Sequence, residues 1–91
     1  MAQTTVRFQP TPNPNAGKFT LNRKAVEGSA SKSFYNAEDA AGNALASALF
    51  ELEGVSSIFM VDDFVTITKS AAVGWESLVP HAQAVIERVL G

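Results

Sequence analysis

Apolar and polar residues alternate at Val6, Arg7, Phe8 and Gln9, and again at Lys18, Phe19, Thr20 and Leu21. Successive side chains leave a strand on opposite faces, so a period of two marks a half-buried strand. Two strands are predicted, forming a hairpin whose loop, at about eight residues, exceeds the usual two to five. Residues 22–36, NRKAVEGSASKSFYN, are polar and rich in Gly and Ser. They predict a connection, with room for a short strand at residues 32–35. From Asn36 the period lengthens. Ala37, Ala40, Ala41, Ala44, Leu45, Ala48, Leu49 and Leu52 recur at helical spacing. Asn36 suits the N-cap, Asp39 places a carboxylate in the first turn, and Gly54 suits the residue just past the C-terminus. The small side chains of this stripe predict close packing on a sheet.

A second hairpin follows: VSSIFMV, then Asp62 and Asp63, then FVTITK. A two-residue turn sets Val61 opposite Phe64, Met60 opposite Val65 and Ile58 opposite Ile67. This register puts Ile58, Met60, Val65 and Ile67 on one face, the core face. The other face carries Phe59, Val61 and Phe64 beside Ser57, Thr66 and Thr68, apolar at the turn end and polar at the far end. The last stripe is Trp75, Leu78, Ala82, Val85, Ile86 and Val89, interrupted by Pro80. Proline is cheap in a first helical turn and costs about 3 kcal/mol in the interior. Either Ser77 caps a helix with Pro80 in its first turn, or a helix from Gly74 carries a local distortion. Trp75 already lies on the stripe, which favours the second. The order is β-β-α-β-β-α. Strands and helices do not alternate one by one, so the fold class is α+β: a small two-layer sandwich, an antiparallel or mixed sheet with two helices on one face.

Length and composition narrow the function. Ninety-one residues predict a single domain, 1–91, with one small core. A hydrophobic content of 46% against 18% charged residues excludes a disordered tail. No apolar run is long enough to span a bilayer, and MAQTTVRF has neither the basic start nor the apolar stretch of a secretory signal. The net charge is −2 and the seven Lys and Arg are scattered, which argues against nucleic acid as a partner. Cysteine is absent, so the chain has no disulfide, no thiolate nucleophile and no Cys-ligated metal or cluster. A disulfide-free small domain leads to the expectation of a cytoplasmic location.

Candidate chemistry is sparse. His81 is the only histidine and has no second His or Cys to share a metal with. Asp62 and Asp63 resemble a carboxylate pair but fall on a predicted turn, where Asp is a favoured residue. Ser29, Ser31 and Ser33 lie in a polar loop without a nucleophile-elbow pattern, and no glycine-rich phosphate cradle occurs. The residues do not make an enzyme. Two stretches stand out instead. In TPNPNAGKF, residues 11–19, Pro12 and Pro14 fix φ near −65° while Asn13 and Asn15 hydrogen-bond nearby backbone and Gly17 adds freedom. This builds a preformed loop, read as a brace of the first hairpin or as a binding loop, with the brace preferred. The cluster of Phe59, Val61 and Phe64 is either covered by the segment 22–36 or left as a partner-binding patch.

TPNPNAGKF, LFELEGVSSIFMVDDFVTITK and the W-x-x-L-x-P of Trp75, Leu78 and Pro80 occur in this order. Together they resemble the N-terminal domain of Nfu/NifU-type iron–sulfur scaffold proteins, over residues 6–86. That family usually has a larger apolar residue where this chain has Gly17. In its multidomain members a separate C-terminal domain carries the Cys-x-x-Cys pair that holds the nascent cluster. The resemblance therefore implies a stand-alone, non-catalytic accessory domain in cluster assembly or delivery, without cofactor or metal of its own. Its implied partner is a protein of iron–sulfur cluster biogenesis: a carrier, a Cys-bearing scaffold or an apo-target, with no nucleic acid and no membrane. The contact residues expected are Asn13, Pro14 and Asn15 in the loop, with Phe59 and Phe64. Two alternatives stay open: a general interaction or regulatory module unrelated to clusters, and weak iron binding through Asp62, Asp63, Glu51 or His81, since oxygen donors suit hard cations.

Overall fold

The structure is a computed structural model and describes residues 4–26 and 31–91. Its elements are β1 (Val6–Pro10), β2 (Ala16–Leu21), β3 (Lys32–Phe34), α1 (Ala44–Phe50), β4 (Val55–Val61), β5 (Phe64–Lys69) and α2 (Trp75–Leu90). The strands form one sheet in the order β1-β2-β5-β4-β3. Every neighbouring pair is antiparallel, which settles the antiparallel-or-mixed alternative. Both predicted hairpins are present, and pairing of β2 with β5 joins them. No helix among the described residues is long and apolar enough to cross a membrane.

The second hairpin has the predicted register: Val61 opposite Phe64, Met60 opposite Val65, Ile58 opposite Ile67. Ile58, Met60, Val65 and Ile67 are at most 2% exposed. They form one apolar cluster with Phe19 of β2, Leu45 and Leu49 of α1, and Ala82 and Ile86 of α2. Burying a side chain of the Leu, Ile or Phe kind is worth about 1.5–3 kcal/mol, so this layer between sheet and helices is the main stabilising contact. The α+β sandwich with both helices on one face is the fold observed.

Several boundaries differ from the expectation, each for a local reason. The first hairpin loop spans only residues 11–15, because pairing extends to Pro10 opposite Gly17. The short strand at residues 32–35 is real, and as β3 it adds a fifth strand beside β4. The first helix starts seven residues late, at Ala44 instead of Ala37. Asn36 does act as a cap, since its Oδ1 accepts the Asp39 N–H at 2.8 Å, but residues 37–42 form only turns. Gly42 costs about 1 kcal/mol in a helix, and Asn43 behind it adopts extended geometry and accepts the Ala46 N–H at 2.9 Å, making it the true N-cap. Gly54 does not cap α1, whose C-cap is Glu51. It takes φ +91° in the connection to β4. The last helix starts after Gly74, as preferred, and Pro80 lies inside it on an exposed position. Ser29 and residues 1–3 of the N-terminal stretch lie outside the described residues.

Candidate partner-binding face

Residues between the core positions of each strand point away from the helices. On this open face β4 presents Ser57, Phe59 and Val61, and β5 presents Phe64, Thr66 and Thr68. Phe59 pairs with Thr66, and Phe64 with Val61, so the two rings are diagonal neighbours. Their centroids are 6.5 Å apart at 53°, within the range of favourable tilted aromatic pairs. Phe59 is 37% exposed. The segment 22–36 does not shield it in its described part: β3 pairs edge-on, with Ser33 opposite Phe59. The Lys18 ammonium stands 4.4 Å from the centroid of Phe64, a cation–π distance. Lys18 was not legible as a neighbour of Phe64, because local patterns do not reveal that β2 pairs with β5.

The TPNPN loop leaves Pro12, Asn13 and Pro14 exposed, yet its polar groups are tied back to the protein. Thr11 Oγ1 lies 2.8 Å from the Ala16 carbonyl and 2.9 Å from that of Asn13, and Asn13 Oδ1 accepts the Asn15 N–H at 2.9 Å. These short-range bonds are the Asx and Thr turns expected of such residues. Longer contacts then tie the loop down. The Trp75 indole donates to the Pro14 carbonyl at 2.9 Å, and the Lys69 N–H donates to the Asn15 carbonyl at 2.7 Å. Lys69 Nζ donates to Asn15 Oδ1 at 3.2 Å and stands 5.5 Å from the centroid of Trp75. Gly17 lies under two rings, since a Cβ there would come within 2.4 Å of Phe8 and 3.0 Å of Trp75. Those rings occupy the place of the larger side chain expected from the family resemblance.

The candidate residues therefore fall into two places. Asn13, Pro14 and Asn15 sit at the end of the sheet where Ala16 meets Thr68. Phe64 lies four residues along β5 from Thr68, about 13 Å away at 3.3 Å per residue. Lys69 and Trp75, which hold the loop, were missed as its partners. The alternation of FVTITK does place position 69 in the core column, and Lys69 is only 8% exposed.

The metal candidates separate as well. Glu51 and His81 line a cavity of about 320 Å³ together with Glu53 and Ser77. Asp62 and Asp63 lie at the opposite end of β4, in the turn to β5. Asp62 has φ +50°, and the two backbone carbonyls accept N–H groups of Ala25 and Leu21 at 2.7 Å each. Among the described residues no three His, Asp or Glu converge as a metal site. With no cysteine in the chain, its donor set does not fit an iron–sulfur cluster.

Comparison with known proteins gives a consistent result. The family model described as the N-terminal part of scaffold protein Nfu/NifU matches residues 6–91. NifU-like protein 5, mitochondrial, of Arabidopsis thaliana is 40% identical over 82 residues, which is 89% of this chain and 29% of the relative. The mitochondrial NFU1 iron-sulfur cluster scaffold homolog of Drosophila ananassae is 35% identical over 81 residues, 89% of this chain and 28% of the relative. The crystal structure of protein SAV1430 from Staphylococcus aureus matches with a TM-score of 0.80 at 33% identity, covering 91% of this chain and 99% of that one. The chain thus spans less than a third of the two curated relatives. Both are mitochondrial, which corrects the cytoplasmic expectation: absence of cysteine does not assign a compartment. Matched over all but its first five residues, the chain belongs to the family of Nfu/NifU scaffold protein N-terminal domains.

Proposed function

We propose that this chain is a non-catalytic protein-binding domain that acts in iron–sulfur cluster assembly or delivery through a protein partner: a carrier, a Cys-bearing scaffold or an apo-target. The observation that carries the reading is the aromatic pair Phe59–Phe64, held on the sheet face that no helix covers. An exposed aromatic on a rigid strand is a low-entropy anchor for a partner. Family membership and the name of the fly relative connect the domain to cluster metabolism. The cluster is then cargo held by the partner's thiolates, since this chain has none. The braced loop with Asn13, Pro14 and Asn15 serves as a support of the first hairpin.

Affinity capture from native extract with the 91-residue chain tests this. The expected result is recovery of an iron–sulfur assembly or target protein, lost when Phe59→Ala and Phe64→Ala are combined, and lowered activity of cluster enzymes on deletion of the gene. Recovery of no such protein, with cluster-enzyme activity intact on deletion, sinks the proposal. Specific partners outside cluster metabolism would favour the general interaction or regulatory module instead.

A further inference from the structure

Strand pairing aligns the open face in two rows. One runs Arg7, Thr20, Phe64, Val61, and the other runs Gln9, Lys18, Thr66, Phe59. In both rows the β1–β2 side is polar and the β4 end is apolar. Arg7, Gln9, Lys18 and Thr20 make a block of a guanidinium, a carboxamide, an ammonium and a hydroxyl. The block lines an open groove of about 590 Å³, whose single acidic lining residue among the described residues is Asp63 at the rim. This local positive charge stands on a chain whose net charge is −2. Thr20 Oγ1, beneath this block, is buried and has no hydrogen-bond partner among the described residues. Lys18, 4.4 Å above the ring of Phe64, joins the two halves.

We infer that this face binds an extended acidic segment of a partner protein, with a carboxylate over Arg7 and Lys18 and an apolar side chain over Phe59 and Phe64. The inference rests on the protein-binding part of the reading above and names the partner's chemistry. Charge complementarity selects the occupant. A guanidinium and an ammonium at diagonal positions of one face favour a carboxylate. Two cations are too few for nucleic acid, whose affinity grows with the number of neutralised phosphates. The geometry also sets the spacing. Lys18 and Phe59 share a row with one strand between them, so their backbones are about 10 Å apart at 4.8 Å per strand. An extended peptide covers that distance in about three residues.

The probe is a short Gly/Ser peptide carrying Glu and Leu three residues apart, titrated into the isotope-labelled chain and followed by amide shifts. Saturable shifts in both rows are expected, with affinity falling about tenfold on charge reversal by Arg7→Glu with Lys18→Glu and weakening with salt. If circular dichroism shows the reversal variant unfolded, Arg7→Gln with Lys18→Gln replaces it. The inference is overturned by absence of saturable shifts, by shifts confined to other surfaces, or by charge variants that bind as well as the parent. Equal binding of the peptide with Lys in place of Glu, or of a short single-stranded DNA, overturns it too. Its failure is distinct from that of the proposed function. A captured cluster-assembly protein insensitive to the charge variants leaves the function standing and removes the inference; peptide binding without such a capture does the reverse.

Discussion

Removing the Asn15 side chain tests whether the loop is a brace. Lys69 stands in the core column of β5 after Val65 and Ile67 and is 8% exposed. Its ammonium has two oxygen acceptors, Asn15 Oδ1 at 3.2 Å and the Ser70 carbonyl at 3.4 Å, besides the face of Trp75. A hydrogen bond to a charged group contributes about 1.5–3 kcal/mol. At 3.2 Å and only part-buried, this one belongs near the lower limit. The backbone bond from Lys69 N–H to the Asn15 carbonyl survives the substitution, and so does the ring contact. Asn15→Ala should therefore cost about 1.5–2 kcal/mol, a fall in Tm of roughly 6–15 °C for a domain of this size. Urea denaturation should show a lower midpoint with an unchanged slope.

The cost has a specific origin, so it should be relieved by removing the charge. Lys69→Met keeps most of the buried stem and discards the ammonium. In the double variant the loss should be smaller than the sum of the single losses by about 1 kcal/mol, the size expected for directly contacting groups. Binding of the captured partner, measured on the native fraction, should stay at the parent level. A loss below about 0.5 kcal/mol for Asn15→Ala, or strict additivity with Lys69→Met, would refute the brace. Retained stability with lost partner binding would make the stretch a binding loop.

Other outcomes follow from single contacts. Gly54→Ala places a Cβ at φ +91° and 2.5 Å from Val73 Cγ2; strain and overpacking together should cost about 3 kcal/mol in urea denaturation, partly recovered by adding Val73→Ala. Asn43→Ala deletes the side-chain acceptor of the Ala46 N–H and should lose about 1 kcal/mol, with a smaller helical signal in circular dichroism. Phe59→Ala should lower stability by only about 1–2 kcal/mol, because the ring is already partly in water, yet weaken partner capture; a loss above about 3 kcal/mol would mean the ring is structural.

What the sequence revealed depended on how local the cause was. The β4–β5 register was legible because a two-residue turn and strict alternation leave one arrangement that buries Ile58, Met60, Val65 and Ile67. The late start of α1 was not, because the alanine stripe from Ala37 is equally regular on either side of Gly42. Ala37, Ala41 and Ala44 are exposed, so their spacing carried no burial. The balance was decided by Gly42 weakening the helix and Asn43 capping it anew, two residues that a count of apolar positions passes over. The site divided in the same way. Phe59 and Phe64 share a hairpin, and their common face could be read from alternation alone. Lys69, Trp75 and the loop meet across many residues, as do Lys18 and Phe64, and such meetings depend on which strands lie side by side.

That dependence separates the loop from the open face. Pro12 and Pro14 restrict the loop before folding, and Trp75 and Lys69 then fix it by its own carbonyls. The carbonyls of Asn13, Pro14 and Asn15 are engaged within the protein, which is what the brace reading requires. On the open face the situation is reversed. Phe59 is partly exposed, and the Lys18 ammonium stands over the ring of Phe64. Under the proposed function, the free energy of partner binding is to be gained there. If the Asn15→Ala test upholds the brace, the stiff, proline-rich signature keeps β1 and β2 in the register that sets Arg7 beside Thr20 and Gln9 beside Lys18.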